Sequence, residues 1–358
     1  MKNKLVKGQK GITLVALVVT IVVLLILAGI TIMYTMGENS IFRKAQEAKD
    51  KTNQAIKNEQ EYMNSIDNMV NEYLNGIGNS GTTGPIDVPI EDIKSDWAAI
   101  EKIAKEIAKD DSITSETEEV KVIIDGKRYT IKPGDIFEVE YNGEVRRVRV
   151  LGFKHDNLVD QTVYGGTHTK ASISFEFLDF MTGDTYMSMN VTNTNENGWA
   201  NTQMRKDLNG YTTNATAPSG TIGGLGANLN NKSYIKQVKK KYIATYNDAS
   251  SVTACNDYLW LLAASEIVSS GYQANAYACA ITSEGSQYKY YQRVTEEWDE
   301  NSTERIKKTS KSGSAYTWWL RSSPFSYSND FCSIYNNGNA YNNGYASNTN
   351  GVAPGFCI

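Results

Sequence analysis

The last forty or so residues, from Tyr316 to Ile358, constrain the fold of this chain more than any other stretch. They begin with a compact block, Trp318 to Arg321, and close with the apolar sequence from Gly351 to Ile358, so both ends are predicted as buried strands. Between them, from Ser326 to Asn350, about two-thirds of the residues are Asn, Tyr, Ser or Asp. Such a segment cannot bury itself, because every Asn side chain brings donors and acceptors that need partners. The pattern therefore predicts loops and short strands displayed on a rigid scaffold.

The composition of this segment is also typical of binding loops. Tyr supplies large contact area at a small entropic cost, while Asn and Ser adapt their hydrogen bonds to a partner. A polar surface loop without a ligand is the alternative, because Asn-Gly and Asn-Asn pairs are ordinary turn chemistry. We expect the ligand to be a protein or a glycan, bound by Tyr327, Asn329, Asp330, Tyr335, Asn337, Asn339, Tyr341, Asn343, Tyr345 and Asn348.

Charge and metal-ligand content argue against several other functions. A net charge of -4 gives no reason to expect nucleic-acid binding. Two His and four widely spaced Cys do not form a zinc motif, so we expect no metal and no cofactor. In an exported chain the cysteines could form up to two disulfides, with Cys332 and Cys357 as one pair; free buried thiols are the alternative.

The N-terminus carries the signals of a membrane segment. Residues 1–11 contain four Lys, and residues 12–34 then run without a charge. At about 1.5 Å per residue, that run spans the roughly 30 Å hydrocarbon core of a bilayer, with the N-terminus in the cytoplasm. A secretory signal peptide is the alternative, although the apolar run is longer than usual and no cleavage site follows it.

Residues 35–75 are amphipathic and predict a stalk helix, which continues the apolar one. Residues 76–90 have the Gly, Ser, Thr and Pro content of a flexible linker. The alternative is a helix packed on its own globular domain.

The body of the chain alternates predicted helices and hairpins. Residues 91–132 predict a helix and a β-hairpin that turns at Asp125-Gly126, and a second hairpin turns at Asn142-Gly143. Further helices are predicted over 199–208 and 229–242, the second with a solvated basic face at Lys236, Lys239, Lys240 and Lys241. Residues 258–263 predict a buried strand. Residues 133–358 are expected to form one domain.

Lys10-Gly11 followed by Ile12-Thr13-Leu14-Val15 and a long apolar helix resembles the leader of type IV prepilins and pseudopilins. The resemblance implies cleavage after Gly11, methylation of Ile12, and other pilin subunits as partners. The family usually has Glu at the fifth mature position, where this chain has Ala16. That difference favours a minor or tip subunit, or a simple anchor, over an ordinary filament subunit.

Several motifs of residues 133–358 resemble the C-type lectin fold, in a bacterial branch similar to formylglycine-generating-enzyme-like domains. They include Asn197-Gly198-Trp199, Leu259-Trp260-Leu261-Leu262 and Trp318-Trp319-Leu320-Arg321. The implied fold class is α+β, with a transmembrane, pilin-like long N-terminal helix, a linker and a C-type lectin fold domain. Residues 323–350 resemble the variable region of binding proteins that diversity-generating retroelements diversify.

Three functions follow from these patterns. The first is a ligand-binding adhesin or receptor on the bacterial cell surface, anchored through residues 12–34 or associated with a pilus. The second is a structural or minor pilin subunit with an undiversified head. The third is an enzyme, by analogy of fold with formylglycine generation, but only Cys332 and Cys357 could serve it and fold alone does not imply activity. We therefore predict a protein that is not an enzyme.

Overall fold

The computed structural model describes residues 84–211, 222–246, 248–268, 284–297, 300–324, 327–340 and 342–358, together with residues 19, 21–23, 49 and 52. The chain divides into two compact units, Met1–Thr83 and Gly84–Ile358. The predicted leader site at Gly11 and Ile12 and nearly all of the predicted stalk and linker lie outside the described residues. The finer predicted boundaries within the second unit stay a prediction.

The second unit is built mainly from short strands. They are β1 Ile86–Val88, β2 Val120–Ile124, β3 Lys127–Ile131, β4 Ile136–Tyr141, β5 Glu144–Phe153, β6 Asn157–Leu158, β7 Ile173–Phe177, β8 Met187–Ser188, β9 Val238–Ile243, β10 Val252–Asp257, β11 Trp318–Trp319, β12 Asp330–Ile334, β13 Asn342–Tyr345, β14 Thr349–Asn350 and β15 Gly355–Cys357. The α-helices of this unit's described residues are α1 Trp97–Lys109, α2 Gly198–Asn201, α3 Gln203–Asn209 and α4 Ala264–Ile267.

A four-stranded antiparallel sheet, in the order β15-β7-β5-β4, forms the centre of the unit. The last strand of the chain is therefore an edge of the central sheet, beside a strand from the middle of the sequence. Phe356 of β15 stacks on Phe175 of β7 with ring centroids 5.2 Å apart, and Trp97 of α1 meets both rings edge-on. Aromatic pairs of this kind add to the free energy gained by burying their area. The C-terminus is thus fixed in the core.

The smaller sheets surround this centre, in the orders β1-β3-β2, β10-β9-β6, β11-β12-β13 and β14-β8. Both predicted hairpins are confirmed, as β2–β3 and β4–β5. Their turn residues Asp125 and Asn142 have φ of 51° and 52°, and the glycines that follow them also have positive φ. This is the geometry that Asp-Gly and Asn-Gly hairpin turns require.

The predicted α+β fold class is wrong for the described residues, in which strands predominate. The longest α-helix in the second unit has 13 residues, and α2 and α4 have four each. In the described part of the chain, none of the helices has both the length and the apolar character that a membrane crossing requires. The prediction of a transmembrane, pilin-like long helix is therefore wrong for the described residues. Most of residues 12–34 lie outside them.

The helix predicted over 229–242 is also wrong, because its second half is strand β9. Val238, Lys240 and Tyr242 are buried while Lys239 and Lys241 are exposed, a period of two that places alternate side chains on opposite faces. Pairing with β10 on one side and β6 on the other overrides the local helical pattern. Lys240 is thus an interior residue and not part of a solvated face.

The buried strand predicted over residues 258–263 is only partly right. These residues are nearly all buried, but they form an irregular segment between β10 and α4. Trp260 makes one isolated bridge to Gly355, so the segment covers the edge strand β15.

Candidate functional site

The two ends of the polar C-terminal segment are tied together by the apolar residues that flank it. Trp318 bridges Gly351, and the Trp319 amide donates to the Gly351 carbonyl at 3.2 Å. The indole nitrogens of Trp318 and Trp319 donate to the carbonyls of Arg305 and Met187 at 3.0 and 2.8 Å. Both rings and Val352 are fully buried. The predicted rigid frame of the segment is therefore present.

Within the frame, β12 and β13 form an antiparallel hairpin with Asp330 opposite Tyr345 and Cys332 opposite Asn343. Directly opposed side chains lie on the same face of a sheet, so these four share one face. On the other face the Trp319 ring lies 3.3 Å from the position that a Cβ on Gly344 would occupy. On the first face Asp330 and Cys332 are buried, so the polar and aromatic side chains that reach its surface are Asn343 and Tyr345 of β13.

We define the display face as the predicted binding residues that the structure describes and that are at least partly exposed. They are Tyr327, Asn329, Tyr335, Asn337, Asn339, Asn343, Tyr345 and Asn348. Tyr345 and Tyr335 are 52% and 44% exposed, which is unusual for large aromatic residues in a folded protein. Of the other predicted residues, Asp330 is 5% exposed and Tyr341 lies outside the described residues.

Seven of the eight display-face residues form two groups, and Asn343 lies between them on β13. Tyr327, Asn329, Tyr345 and Asn348 lie around the start of β12 and the end of β13, where the Ala346 amide donates to the Asn329 carbonyl. Tyr335, Asn337 and Asn339 form the loop at the opposite end of the hairpin. The five residues of β12 lie between the groups, so Asn329 and Tyr335 are roughly 20 Å apart along the strand, at about 3.3 Å per residue. The structure therefore brings the predicted residues onto one hairpin but not into one cluster.

The loop at the hairpin tip is fixed by Gly338. Its φ of 83° is in the left-handed region, and an added Cβ would lie 1.8 Å from the Ser302 carbonyl oxygen. Only glycine permits both the conformation and the close approach. The Tyr335 amide donates to the Asn339 carbonyl at 2.9 Å, which closes the loop.

Asp330 is the only charged residue of segment 323–350, and it is nearly buried. One of its carboxylate oxygens accepts a hydrogen bond from the Asn343 side-chain amide. The other, Oδ1, is buried and has no hydrogen-bond partner among the described residues. Burial raises the pKa of Asp330, and the bond from Asn343 opposes that shift. An unpartnered buried carboxylate oxygen is costly, so this position is suited to a donor that a ligand brings.

The structure adds a loop that sequence reasoning missed, residues 190–196. The Asn195 side-chain amide donates to the carbonyls of Tyr327 and Asp330, at 2.7 and 3.0 Å. The Asn190 amide donates to the Ala346 carbonyl at 2.9 Å. This loop therefore holds both strands of the hairpin, and it exposes 82% of Val191 beside it. The sequence Asn190-Val191-Thr192-Asn193 has the same Asn-rich character as the C-terminal segment, and that signal could have identified the loop.

A buried charge cluster anchors the chain where the polar segment begins. The Arg321 guanidinium donates to both carboxylate oxygens of Glu266, at 2.7 and 2.9 Å, and also to the carbonyls of Lys241, Leu261 and Glu284. Glu266 also accepts a hydrogen bond from Lys240 at 2.7 Å. The guanidinium and the ammonium lower the pKa of Glu266 to about 2 against the effect of burial. Each charge is paired, as burial requires.

The same cluster extends to the C-terminal strand. Lys240 donates to Asp156 at 2.7 Å, and the Tyr288 hydroxyl donates to Asp156 at 2.8 Å. The Cys357 thiol lies 3.5 Å from the same carboxylate, and burial raises its pKa well above the ordinary value. A protonated, buried thiol is a poor nucleophile. A cavity of about 160 Å³ opens beside this cluster, next to His155 and Ser286.

The predicted disulfide between Cys332 and Cys357 is wrong. Cys357 and Cys255 are free and buried, while Cys332 is disulfide-bonded. The fourth cysteine, Cys279, lies outside the described residues. The alternative of free buried thiols thus holds for two of the four cysteines. Cys332 and Cys357 therefore do not form the cysteine pair that the enzyme hypothesis would need.

Glu284 gives the cluster a pH dependence. It is buried, accepts hydrogen bonds from the Ile243 amide and the Ser322 hydroxyl, and has its pKa raised to about 7, chiefly by burial. In the unfolded chain it titrates near 4.5, so the folded state binds more protons between these values. Its contribution to stability is complete below about pH 4.5 and is lost as the pH rises through 7.

We expect Glu284→Gln, which stays neutral, to remove this loss of stability. In the parent chain the contribution lost between pH 4.5 and 7 is on the order of 3 kcal/mol. Urea denaturation at a series of pH values should therefore give a flatter profile for the variant. The exposed Glu140 provides the matched control, Glu140→Gln, which should keep the parent's slope. Equal slopes in the parent and Glu284→Gln would contradict the assignment.

No group of three or more His, Cys, Asp and Glu side chains within the described ranges could hold a metal ion. The candidate functional site is the display face, together with Asp330 and the 190–196 loop.

Comparison with known protein families identifies part of the chain. A family model described as "Domain of unknown function (DUF6273)" matches residues 180–358, which is half of the chain. The matched region contains the frame, the hairpin and the 190–196 loop. No curated protein and no solved structure matches the chain.

Proposed function

The chain belongs to the DUF6273 family, and we propose that it is a ligand-binding protein that contacts a macromolecule through its display face. We further propose that a diversity-generating retroelement varies the sequence of this face. The observation that carries the proposal is the division between exposed and buried residues. Tyr and Asn side chains that are at least partly exposed lie before and after β12 and on β13, while the frame and the whole of β12 are buried. Such a segment can change its contacts without changing its core.

Two further features support the proposal. The Tyr side chains offer apolar area with a hydroxyl at the rim, and the Asn amides offer directional hydrogen bonds, which is the composition of adaptable binding surfaces. The disulfide at Cys332 supports an extracellular location, because disulfides persist mainly in oxidising compartments.

Population sequencing tests the proposed diversification. We expect substitutions in codons 323–350 to concentrate at the display-face positions. Trp318, Trp319 and Val352 should be unchanged, as should the buried hairpin residues Phe331 and Ile334, because their side chains form the core. Deep sequencing of the gene in a natural population measures this, together with a search of the flanking DNA for a near-copy of the segment and a reverse transcriptase.

The 190–196 loop is the internal control. Val191 and Asn193 are as exposed as the display face but lie outside the segment. Template-directed diversification should leave them unchanged, whereas relaxed selection on the surface would vary both regions alike. An invariant segment without a template copy nearby would refute the diversification and leave a fixed binding protein.

A further inference from the structure

Among the residues that the structure describes, one edge of β13 is unpaired. The backbone groups of Cys332 bond to Leu320 and Ser322, so those of Phe331 and Ser333 face β13. The hydrogen bond from the Ala346 amide to the Asn329 carbonyl fits the same pattern, because it also joins the two sides of the hairpin. In an antiparallel pair, successive residues direct their backbone groups alternately toward and away from the partner strand. Gly344 is opposite Phe331 and faces β12, so the N–H groups of Asn343 and Tyr345 point away from β12.

These outward groups are available to a partner. Within the described part of the chain, the outward N–H and C=O of Asn343 and the N–H of Tyr345 have no hydrogen-bond acceptor or donor. The strand carries no Lys and no Pro, which proteins commonly place on edges to prevent further pairing. Tyr345 is 52% exposed beside this edge. An open edge with an aromatic residue is suited to an added strand.

The negative charge of Asp330 favours a partner that brings a positive charge. It lies opposite Tyr345 on β12, carries the only charge of the segment, and leaves Oδ1 without a donor. Adjacent strands are about 4.8 Å apart, so a strand added to β13 lies two spacings, about 10 Å, from β12. Only a long basic side chain crosses that distance, and on its way it passes over the Tyr345 ring, where a cation is stabilised.

We infer that the partner of the display face is a polypeptide segment that binds in extended conformation along the free edge of β13 and places an Arg or Lys near Asp330. This inference rests on the proposed binding function and names the class of its ligand. The added strand would form up to three backbone hydrogen bonds, with the N–H and C=O of Asn343 and the N–H of Tyr345. Specificity would come from the display-face side chains on either side.

A random twelve-residue peptide library on phage, selected on the full chain, provides the probe. We expect enriched peptides to contain an extended run without Pro and at least one Arg or Lys. Hydrogen exchange read by mass spectrometry should show the Asn343 amide exchanging rapidly in the free protein and at least tenfold more slowly with peptide bound. This readout needs no variant.

Matched variants test the edge and the charge separately. Asn343→Pro and Asn343→Ala both remove the side chain, but only the proline removes the outward N–H. We expect the proline variant to bind selected peptides at least tenfold more weakly than the alanine variant. We expect Asp330→Asn to lower the affinity for peptides that carry Arg or Lys about tenfold. Peptides in which Gln replaces that Arg or Lys should bind the variant and the parent equally well.

The remaining outcomes overturn the inference in distinguishable ways. If peptides bind without protecting the Asn343 amide, and bind both Asn343 variants alike, the edge of β13 is not the binding site. The proposed function still holds in that case if binding depends on Tyr345. Peptides indifferent to Tyr345→Ala, Tyr335→Ala and Asn329→Ala would remove the proposed function itself. No enrichment, binding only to immobilised glycans, or an edge-dependent dimer of this chain would each refute a polypeptide partner.

Discussion

Arg321→Met should lower the free energy of unfolding by about 3–5 kcal/mol, because it removes one partner of a buried ion pair. The Met side chain fills much of the volume, but Glu266 keeps its charge with only Lys240 beside it. The carbonyls of Leu261 and Glu284 also lose their donor. Chemical denaturation of the parent and variant proteins measures the effect.

The exposed pair between Arg128 and Asp87 provides the control. Its atoms are 3.0 Å apart, but the side chains are 36% and 74% exposed. Surface ion pairs contribute at most about 1 kcal/mol, so Arg128→Met should be nearly neutral. Similar losses in both variants would show that the Arg321 cluster does not depend on burial. A loss confined to Arg321→Met would show that the buried cluster, and not ion pairing at the surface, stabilises the fold.

Trp319→Ala and Tyr345→Ala should separate stability from binding. Trp319 is fully buried, packs near Gly344 and donates to the Met187 carbonyl, so its removal should cost about 3–5 kcal/mol. Tyr345 is 52% exposed, and its truncation should change stability by less than about 0.5 kcal/mol. Thermal or urea unfolding of the two variants measures both effects.

Binding should respond in the opposite order. Peptides selected on the parent chain should lose at least tenfold in affinity for Tyr345→Ala, because a central exposed aromatic residue is a typical hot spot. Thr349 is exposed outside the display face, so Thr349→Ala should leave affinity and stability unchanged. A large loss of stability in Tyr345→Ala would mean that this side chain belongs to the core and not to a binding surface.

The hairpins were predictable because their signals are local. Asp125-Gly126 and Asn142-Gly143 adopt the positive φ that their turns need, whatever surrounds them. The helix predicted over 229–242 failed for the opposite reason. Its basic residues fit a helical face, yet β10 and β6 pair with its second half and draw Lys240 into the core.

The candidate site shows the same division. Composition predicted the polar segment as a binding surface, which stays a prediction, and eight of its ten predicted residues are at least partly exposed. The burial of Asp330 could not be predicted, because it depends on Asn343 across the hairpin and on Asn195 from a distant loop. The predicted Cys332–Cys357 pair failed because β15 carries Cys357 into the central sheet, beside Asp156 and Ser174.

Residue chemistry alone thus specified the apolar ends of the C-terminal segment, its unburied middle and the hairpin turns, since each depends on side chains that are neighbours in sequence. Contacts between distant residues decided the rest. They placed the last strand beside β7, closed the frame between Trp318 and Gly351, and left the outer edge of β13 unpaired by any described residue. Strand pairing joins residues far apart in the chain, so its register and its free edges are properties of the folded molecule.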